Sequence, residues 1–470
     1  MKILLYFSFF LSLSLYASIE DSIVKIYTAS KIPQYATPWN SNIQHSHGSG
    51  AIISGNRILT NAHVVANETF IEVKRHGDTK RYQAKVEYIS HQADLAILTL
   101  EDKNFFKGTR ALTFDGLPLI QQEIAVYGFP MGGNSISVST GIVSRIEHTR
   151  YAHSREIFLS IQIDAAVNPG SSGGPAISDG KIVGVVMQQI SKSQSIGYIV
   201  PVEVIKHFLK DIEDKKYDGY PHLGIDTQMM DNDAIRAVYK IPDGVSGVLV
   251  IDISENSSLY KKIEKGDILL AIDGNAVQND GTVEFRKHQF TSYKYYVDKK
   301  QLGEKISLDI LRAGKRMRLE LTLKNIADDN LLVNTLEHDV MPKYYIYGGY
   351  VFTPLSRNLI MNSRSTLLEL RQAANKWSSP NKQEAVILLK VLASKISRGN
   401  HSFSLWMIDK VDGKEFKNFK EFVKIIKNFR GKYLIFENRD GVKIAIDSKE
   451  AKNIEEKILK RYSIKSSQRL

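Results

Sequence analysis

The stretch Asn168-Pro169-Gly170-Ser171-Ser172-Gly173-Gly174-Pro175 contains three glycines, two prolines and two serines in eight residues. Glycine and proline at this density exclude a helix interior and a regular strand, so the stretch predicts a sharply turned loop. Such a loop can hold a serine hydroxyl outward and aim successive backbone N–H groups at one point, as in an oxyanion hole. The alternative is a glycine-rich hairpin loop whose serines have no chemical role.

Two further motifs lie upstream of this loop. His63 lies within the motif LTNAHVV (59–65), where an apolar strand runs into it, and Asp94 opens the apolar run DLAIL (94–98). The chain order is therefore His63, Asp94, Ser172, which is the order of the chymotrypsin-like double β-barrel. A serine hydroxyl needs a neighbouring base to become a nucleophile, and a histidine base needs a carboxylate to orient its ring. The three motifs together predict a serine nucleophile with this support.

The motifs LTNAHVV, DLAIL and DAAVNPGSSGGP (164–175) resemble those of the DegP/HtrA family of serine proteases. The resemblance implies His63 as base, Asp94 as its partner and Ser172 as nucleophile. The family frame places the nucleophile directly before two glycines, which selects Ser172 over Ser171. Ser171 stands where the family usually has asparagine. The N–H groups of Gly170 and Ser172, with Ser171 as a further donor, are expected to form the oxyanion hole.

The primary specificity pocket of chymotrypsin-like proteases is formed by residues shortly before the nucleophile and by a later wall strand. By that resemblance the pocket is expected from Ala166, Val167 and Ile190, with Met187 as the alternative to Ile190 if the strand register differs. None of these side chains is charged. Because a buried charge without a partner is costly, the pocket predicts cleavage after small or medium aliphatic residues. Substrate is expected to add as a strand along residues 186–190.

Short apolar runs separated by turn residues fill 21–210 and predict an all-β domain of the barrel type. Residues 202–209 have helical spacing and predict a closing helix. The charged stretch 211–218 reads as a first linker, and a second linker is expected near 328–339. The predicted protease domain spans 18–212.

A second unit is expected at 220–326. Its segment KGDILLAIDG (265–274), an acidic loop residue, a buried strand and an Asp-Gly turn, resembles a PDZ domain of the HtrA kind. By that resemblance the loop His222, Leu223, Gly224 and Ile225 would hold a chain-terminal carboxylate on backbone N–H groups. The alternatives are a plain strand-entry turn, and a loop blocked by other parts of the chain.

A third unit, 340–470, carries a weak internal repeat of the second. The Asp-Gly pair at 273–274 recurs at 412–413, and both pairs precede an apolar residue and then asparagine. This predicts a second, divergent PDZ domain. The long insertion at 279–296 and the tail resemble the plant-type Deg branch of the family. The expected fold class is mostly β, with a chymotrypsin-like double β-barrel followed by two PDZ-like α+β domains.

Composition limits the chemistry. The chain of 470 residues has no cysteine, which excludes disulfides and thiolate metal sites. The net charge is +12, but no nucleic-acid motif is present and no nucleic-acid partner is expected. No cofactor and no metal are expected, because the other histidines show no paired spacing with acidic residues. Those histidines are His45, His47, His91 and His153.

The first 17 residues combine one lysine, a short apolar run and a small residue at Ala17, as in a secretory signal peptide. They predict export to a periplasm. The alternative is an uncleaved anchor, the one case in which membrane association is expected.

The expected function is an exported, ATP-independent serine endopeptidase that degrades misfolded or unfolded proteins. The sequence lacks the P-loop pattern GxxxxGK[ST] that binds nucleotide phosphates, in agreement with ATP independence. The family resemblance implies a homo-oligomer, a trimer or a multiple of trimers. The alternative is a PDZ-based peptide-binding chaperone or scaffold with little proteolysis.

Overall fold

The computed structural model describes residues 18–130, 133, 135–189, 196–362 and 368–470. The predicted signal peptide at 1–17 and the predicted pocket residue Ile190 lie outside the described residues. Among the described residues, no helix combines the length and the apolar character needed to cross a membrane.

The first six strands close into a barrel in the order β1-β2-β3-β6-β5-β4. They are β1 (Ile23–Pro33), β2 (Ser41–Ile53), β3 (Arg57–Thr60), β4 (Glu68–Arg75), β5 (Tyr82–Ser90) and β6 (Leu95–Thr99). A one-turn helix, α1 (Ala62–Val65), follows β3. Inward-facing aliphatic side chains such as Val24, Ile58 and Leu98 fill this barrel. The ends of β3 and the start of β6 therefore lie side by side on a rigid sheet, where Thr60 pairs with Ala96.

The next six strands close into a second barrel in the order β10-β11-β12-β9-β8-β7. They are β7 (Glu123–Gly128), β8 (Ser137–Arg150), β9 (Ile157–Ile163), β10 (Pro175–Ser178), β11 (Lys181–Gln189) and β12 (Gly197–Pro201). Helix α2 (Val202–Asp211) follows and confirms the predicted closing helix, two residues longer than expected. The predicted double β-barrel is thus confirmed.

The second unit contains a sheet in the order β13-β14-β15-β19-β20, with β16 beside β15, and a separate hairpin β17-β18. Its elements are β13 (Ile225–Gln228), α3 (Asp233–Val238), β14 (Val248–Ile253), β15 (Ile268–Ile272), β16 (Asn275–Ala276), β17 (Thr282–Arg286), β18 (Gln289–Ser292), α4 (Lys294–Asp298), β19 (Lys305–Arg312) and β20 (Lys315–Thr322). The hairpin β17-β18 is the long insertion noted in the sequence.

The third unit contains a sheet in the order β24-β23-β22-β21-β28 and a smaller sheet β25-β26-β27. Its elements are α5 (Ala327–Asn330), β21 (Tyr344–Tyr347), β22 (Tyr350–Pro354), α6 (Arg357–Asn362), α7 (Leu368–Ala374), β23 (Val386–Val391), β24 (Trp406–Ile408), β25 (Lys410–Val411), α8 (Phe419–Asn428), β26 (Tyr433–Glu437), β27 (Lys443–Asp447), α9 (Ser448–Arg461) and β28 (Gln468–Arg469). The part of the chain that the structure describes also contains four short 3-10 helices, at Glu20–Ser22, Lys103–Phe106, Ile212–Asp214 and Lys395–Ser397.

The two Asp-Gly pairs noted as a repeat have the same backbone. Asp273 and Gly274 have φ of 47° and 80°, and Asp412 and Gly413 have 52° and 70°. Two successive left-handed residues form the turn that Asp-Gly favours. The two units therefore share this turn as well as its sequence.

The expected linker at 328–339 is not a free connection. It begins within α5, and Val333 is 1% exposed because it packs into a core cluster of the third unit. The prediction of a linker rested on the many Asp and Asn residues of this stretch. It gave too little weight to the apolar side chains among them, which are the ones that pack into the core.

The second unit packs directly on the second barrel. One continuous core cluster includes Phe158 of β9 together with Tyr220 and Ile225 of the second unit. The rings of Phe158 and Tyr220 lie 4.7 Å apart, and the Tyr220 hydroxyl donates to the Val204 carbonyl at 3.0 Å. The orientation of the second unit on the barrel is thus fixed by buried contacts.

Candidate active site

His63 and Asp94 meet where the first barrel brings α1 beside the start of β6. Asp94 has a left-handed backbone, φ 55°, and its residue is 1% exposed. Its Oδ2 lies 2.8 Å from His63 Nδ1, and its Oδ1 accepts the His63 backbone N–H at 2.9 Å. Asn61 Nδ2 donates to the Asp94 carbonyl at 2.8 Å. The carboxylate therefore fixes the ring with a proton on Nδ1 and leaves Nε2 as the basic nitrogen.

Burial and the neighbouring Asp94 have opposing effects on the pKa of the His63 ring. Burial lowers the pKa of the His63 ring, but the charge of Asp94 and its hydrogen bond outweigh burial, so that the pKa is raised from its ordinary value. The ring thus keeps a proton at a higher pH than a free histidine does.

The glycines after Ser172 are required by close backbone packing. A Cβ on Gly173, whose φ is 85°, would lie 2.1 Å from the Ser49 carbonyl oxygen, and one on Gly174 would lie 2.0 Å from that of Tyr127. The Ser49 N–H donates to the Ser172 carbonyl at 2.8 Å. The loop between the barrels is therefore pinned to β2, and any side chain at these two positions would displace it.

The structure distinguishes the two adjacent serines. Ser171 is 6% exposed, whereas Ser172 is half-buried. The Ser172 hydroxyl donates to the Met187 carbonyl at 3.4 Å, a long hydrogen bond. Within the described residues no hydrogen bond joins Ser172 to His63. In this conformation the hydroxyl must rotate before His63 can take its proton.

The backbone N–H groups of this loop differ in whether they already have a hydrogen-bond acceptor. The Ser171 N–H donates to the Asn168 carbonyl at 2.9 Å, so it is not free to bind an oxyanion. The N–H groups of Gly170 and Ser172 have no acceptor among the described residues. Gly170 has φ 97°, and its carbonyl accepts the Ser49 hydroxyl at 2.8 Å. The expected set of three donors is corrected to two, because the turn consumes the middle one.

The described residues of the expected specificity pocket are both near the loop but differ in burial. Val167 is 5% exposed, and a Cβ added to Gly197 would lie 2.6 Å from the Val167 Cγ2 atom. Ala166 is exposed. Met187, the alternative wall residue, is 2% exposed on β11. The wall next to Val167 is thus apolar and tightly packed.

The predicted peptide-binding loop of the second unit is internally bonded. His222 Nδ1 accepts the Gly224 N–H at 3.0 Å, Ser257 Oγ donates to the Leu223 carbonyl at 2.5 Å, and the Gly224 carbonyl accepts the Ser254 N–H at 2.8 Å. Ile225 starts β13 and pairs with Ile253 of β14. One of the donors that a carboxylate would need is therefore already used.

Residues of the third unit cover this loop. Asn330 of α5 is fully buried, and a Cβ on Gly224 would lie 2.8 Å from its Oδ1. The Trp377 ring lies 6.0 Å from the His222 ring. Beside β13, a cavity of about 40 Å³ lies between the second unit and the second barrel. It is lined by Phe158, Tyr220, Leu223, Ile225, Tyr293 and Val297 among others.

A group of histidines that the sequence did not single out lies beside His63. His91, His153 and His338 each place one ring nitrogen within 4.8 Å of the others. Burial, followed by the neighbouring histidines, lowers the pKa of His153, and burial together with His91 lowers that of His338 to about 4. The three positions are distant in the chain, so no spacing rule could have found them.

Known sequence families match three stretches of the chain. A trypsin-like peptidase domain matches residues 48–185, and a PDZ domain matches residues 221–323. A second PDZ domain matches residues 333–469. The HtrA-type protease AlgW with a tripeptide, a solved structure, superposes with a TM-score of 0.52 at 24% identity over 65% of this chain and 94% of its own. That likeness shows a shared fold.

Two plant proteins from Arabidopsis thaliana match nearly the whole chain. Protease Do-like 4, mitochondrial, is 37% identical over 449 residues, which are 95% of this chain and 84% of that protein. Protease Do-like 2, chloroplastic, is 36% identical over 462 residues, 96% of this chain and 75% of that protein. The predicted periplasmic location is therefore wrong, because these relatives point to an organelle. The chain belongs to the Do-like family of serine proteases, with a trypsin-like peptidase domain followed by two PDZ domains.

Proposed function

We propose that this chain is an ATP-independent serine endopeptidase that degrades misfolded or unfolded proteins through His63, Asp94 and Ser172. One observation supports the proposal most: Asp94 holds both the ring and the backbone of His63. These two hydrogen bonds hold the imidazole in one tautomer and one orientation, as is required of a general base that takes a proton from a serine. The domain limits predicted from the sequence, 18–212, 220–326 and 340–470, form part of the proposal.

The reaction starts when the Ser172 hydroxyl leaves the Met187 carbonyl and turns toward His63 Nε2. His63 takes the proton while Oγ attacks the peptide carbonyl carbon, and Asp94 stabilises the imidazolium. The Gly170 and Ser172 N–H groups bind the oxygen of the tetrahedral intermediate, and losing one such donor costs about 3 kcal/mol. His63 then protonates the leaving amine, and water releases the acyl group from Ser172 by the same steps.

Substrate selection depends on backbone pairing with β11 and on the apolar side-chain pocket beside Val167. An extended chain would pair with the end of β11 and place an aliphatic side chain against Val167, where burial is worth roughly 1–3 kcal/mol. Unfolded proteins expose such segments and folded ones hide them. Assembly into a trimer or a multiple of trimers is part of this proposal and rests on the family resemblance.

The rival function is a peptide-binding chaperone or scaffold with little proteolysis. It requires an accessible PDZ loop, but Asn330 and Trp377 cover the loop of the first PDZ domain. In the proteolytic centre, in contrast, Asp94 already holds both the ring and the backbone of His63. The observations therefore favour the peptidase.

Casein degradation with and without an organophosphonate probe tests the function. Ser172→Ala should lose both cleavage and labelling by about 10³-fold or more, because no nucleophile remains. Ser171→Ala is the matched neighbour and should still carry the label on Ser172. Mass spectrometry that places the adduct on Ser171, or casein cleavage by Ser172→Ala at the unmodified rate, would contradict the proposal.

A further inference from the structure

Three imidazole rings from three separate parts of the chain meet beside the active site. His91 lies in the turn between β5 and β6, the turn that also ends in Asp94. His153 lies between β8 and β9 of the second barrel, and His338 lies between α5 and β21 of the third unit. The His338 ring centroid is 4.0 Å from that of His153 and 4.5 Å from that of His91. No single helix or strand carries two of these histidines, so only the packing of the folded chain brings their rings together.

Their nitrogens converge as the ligands of one small cation do. His91 Nδ1 lies 3.0 Å from His153 Nε2, and all three ligand nitrogens lie within 4.8 Å of one another. Neighbouring nitrogens of a tetrahedral zinc site are about 3.3 Å apart, given Zn–N bonds of about 2.0–2.1 Å. The His338 ring stacks on the rings of His91 and His153, with interplanar angles of 26° and 28°, so the rings would have to turn out of this stack before their in-plane lone pairs could meet at one metal ion.

One of the nitrogens has no partner within the protein. His338 Nε2 is buried and makes no hydrogen bond to any described residue. Buried polar atoms are almost always satisfied, so an atom of this kind calls for an explanation. The hydrogen bond between His91 Nδ1 and His153 Nε2 does not involve this atom, whereas a metal ion would satisfy it.

The far side of His91 is built like the support of a metal ligand. His91 Nε2 lies 2.8 Å from Asp339 Oδ2, so that Nδ1 faces the cluster. Asp339 Oδ1 in turn accepts the Asn67 backbone N–H, and the Asp339 N–H donates to Asn67 Oδ1 at 3.0 Å. Metal-binding histidines usually donate their second N–H to a carboxylate, which fixes the ring and makes it a stronger ligand.

We propose that His91, His153 and His338 bind one Zn²⁺ ion, with Asp339 holding His91 in place and the fourth position open to water. Three imidazoles favour Zn²⁺ over Mg²⁺ or Ca²⁺, which take oxygen ligands. The ion joins both protease barrels to the segment that leads into the second PDZ domain. Zinc would thus tie the third unit to the protease next to His63, whose ring lies 6.1 Å from that of His153. This proposal differs from the sequence-based expectation of no metal, and the experiment below decides between them.

Cobalt is a suitable probe because Co²⁺ replaces Zn²⁺ in histidine sites and has visible absorption that depends on its geometry. The full chain carrying Ser172→Ala is dialysed against Co²⁺, so that neither self-cleavage nor the proposed peptidase function affects the readout. We expect one ion per chain and the strong absorption of a four-coordinate site. Addition of Zn²⁺ should displace the cobalt and abolish the absorption.

Four variants in that background locate the ligands. His153→Asn and His338→Asn, on different elements, should each weaken binding at least tenfold. Asp339→Asn keeps an oxygen for the Asn67 N–H and should weaken binding about 10–100-fold through the lost support of His91. His401→Asn, at an exposed histidine of the third unit, is the control and should bind as tightly as the parent.

The proposal is overturned if the parent binds no Co²⁺, or if His153→Asn and His338→Asn both bind it with unchanged affinity. Should a histidine variant fail to fold, the melting temperature of the Ser172→Ala chain decides. A rise on adding Zn²⁺ supports the site, and an unchanged value counts against it. Slower hydrogen exchange around residue 338 with Zn²⁺ supports the tie between the units, and exchange that is unaffected by bound Zn²⁺ refutes it.

Discussion

At the scale of single residues, the proposed chemistry depends on the way Asp94 holds His63. A left-handed backbone at Asp94 turns its carboxylate toward both the ring and the backbone of His63. The motifs were enough to predict this pair, because β3 and β6 pair in the sheet and bring the helix after β3 beside the residue before β6. The partner of the Ser172 hydroxyl was not predictable, since Met187 reaches it through strand placement alone.

The raised pKa of His63 sets the pH dependence. Only the neutral ring can take the Ser172 proton, so activity should rise with pH, and the midpoint should lie above the ordinary value of about 6.5. Asp94→Asn removes the charge that raises the pKa. It should move the midpoint down and lower kcat by about 10⁴-fold, because the ring loses its preferred tautomer.

The measurement is kcat/KM for a short peptide between pH 5 and pH 9, with folding checked at each pH. An Asp115→Asn variant, at a half-buried aspartate outside the active site, is the matched control and should keep the original midpoint. A midpoint below 6.5 in the unmodified chain would contradict the raised pKa of His63, and a midpoint that Asp94→Asn leaves in place would count against His63 as the base.

The apolar environment of Val167 predicts which bonds are cut. A Lys, Arg, Asp or Glu side chain placed there would be buried without a partner, at a cost of several kcal/mol. Products of an unfolded protein substrate should therefore end in Val, Ala or Leu. Sequencing their new carboxyl termini by mass spectrometry tests this. A dominant charged residue at that position would show that the pocket has been assigned to the wrong side chains.

At the scale of elements, the strands were largely predictable from apolar runs and turn residues. The stretch 21–210, which was predicted to be a barrel-type domain of short strands, contains the strands β1 to β12. The histidine cluster was not predictable, because His91, His153 and His338 come from three connections whose proximity exists only in the folded chain. Spacing rules detect ligands on one element and miss those brought together by packing.

The loop that carries Ser172 depends on the absence of a side chain at Gly173. Gly173→Ala would put a Cβ 2.1 Å from the Ser49 carbonyl oxygen, and its φ of 85° is unfavourable for alanine. We expect at least a 100-fold loss of phosphonate labelling. Gly180→Ala is the matched control, because Gly180 has a similar φ of 74° but no atom within 4 Å of an added Cβ.

Gly180→Ala should cost only about 1 kcal/mol of stability and leave the labelling rate unchanged. Labelling rates and thermal unfolding of both variants provide the comparison. Normal labelling of Gly173→Ala would mean that the loop can move away from β2 and still function, contrary to the packing described above.

At the scale of the whole molecule, both PDZ domains pack against the protease barrels. The first packs on the second barrel through Phe158, and the second packs on the first barrel, where Arg469 donates to the Pro38 carbonyl at 2.8 Å. The rings of Trp39 and Tyr344 lie 5.9 Å apart at the same contact. Composition predicted two linkers, and it could not show these contacts, which are made by residues far apart in sequence and hold the units together.

Removal of the second PDZ domain should therefore act on regulation more than on chemistry. A chain ending at residue 326 keeps both barrels and the first PDZ domain but lacks Asn330 and Trp377, which cover the loop at Gly224. It should bind a peptide with a free apolar carboxyl terminus at least tenfold more tightly than the full chain. Oligomer size and casein turnover should also change, whereas phosphonate labelling of Ser172 should change less than threefold. Fluorescence anisotropy with the peptide, light scattering and the labelling rate measure these effects, and an amidated peptide controls for carboxylate recognition. Equal losses of labelling and casein turnover, with peptide affinity unchanged, would show that the second PDZ domain is needed for the active site itself.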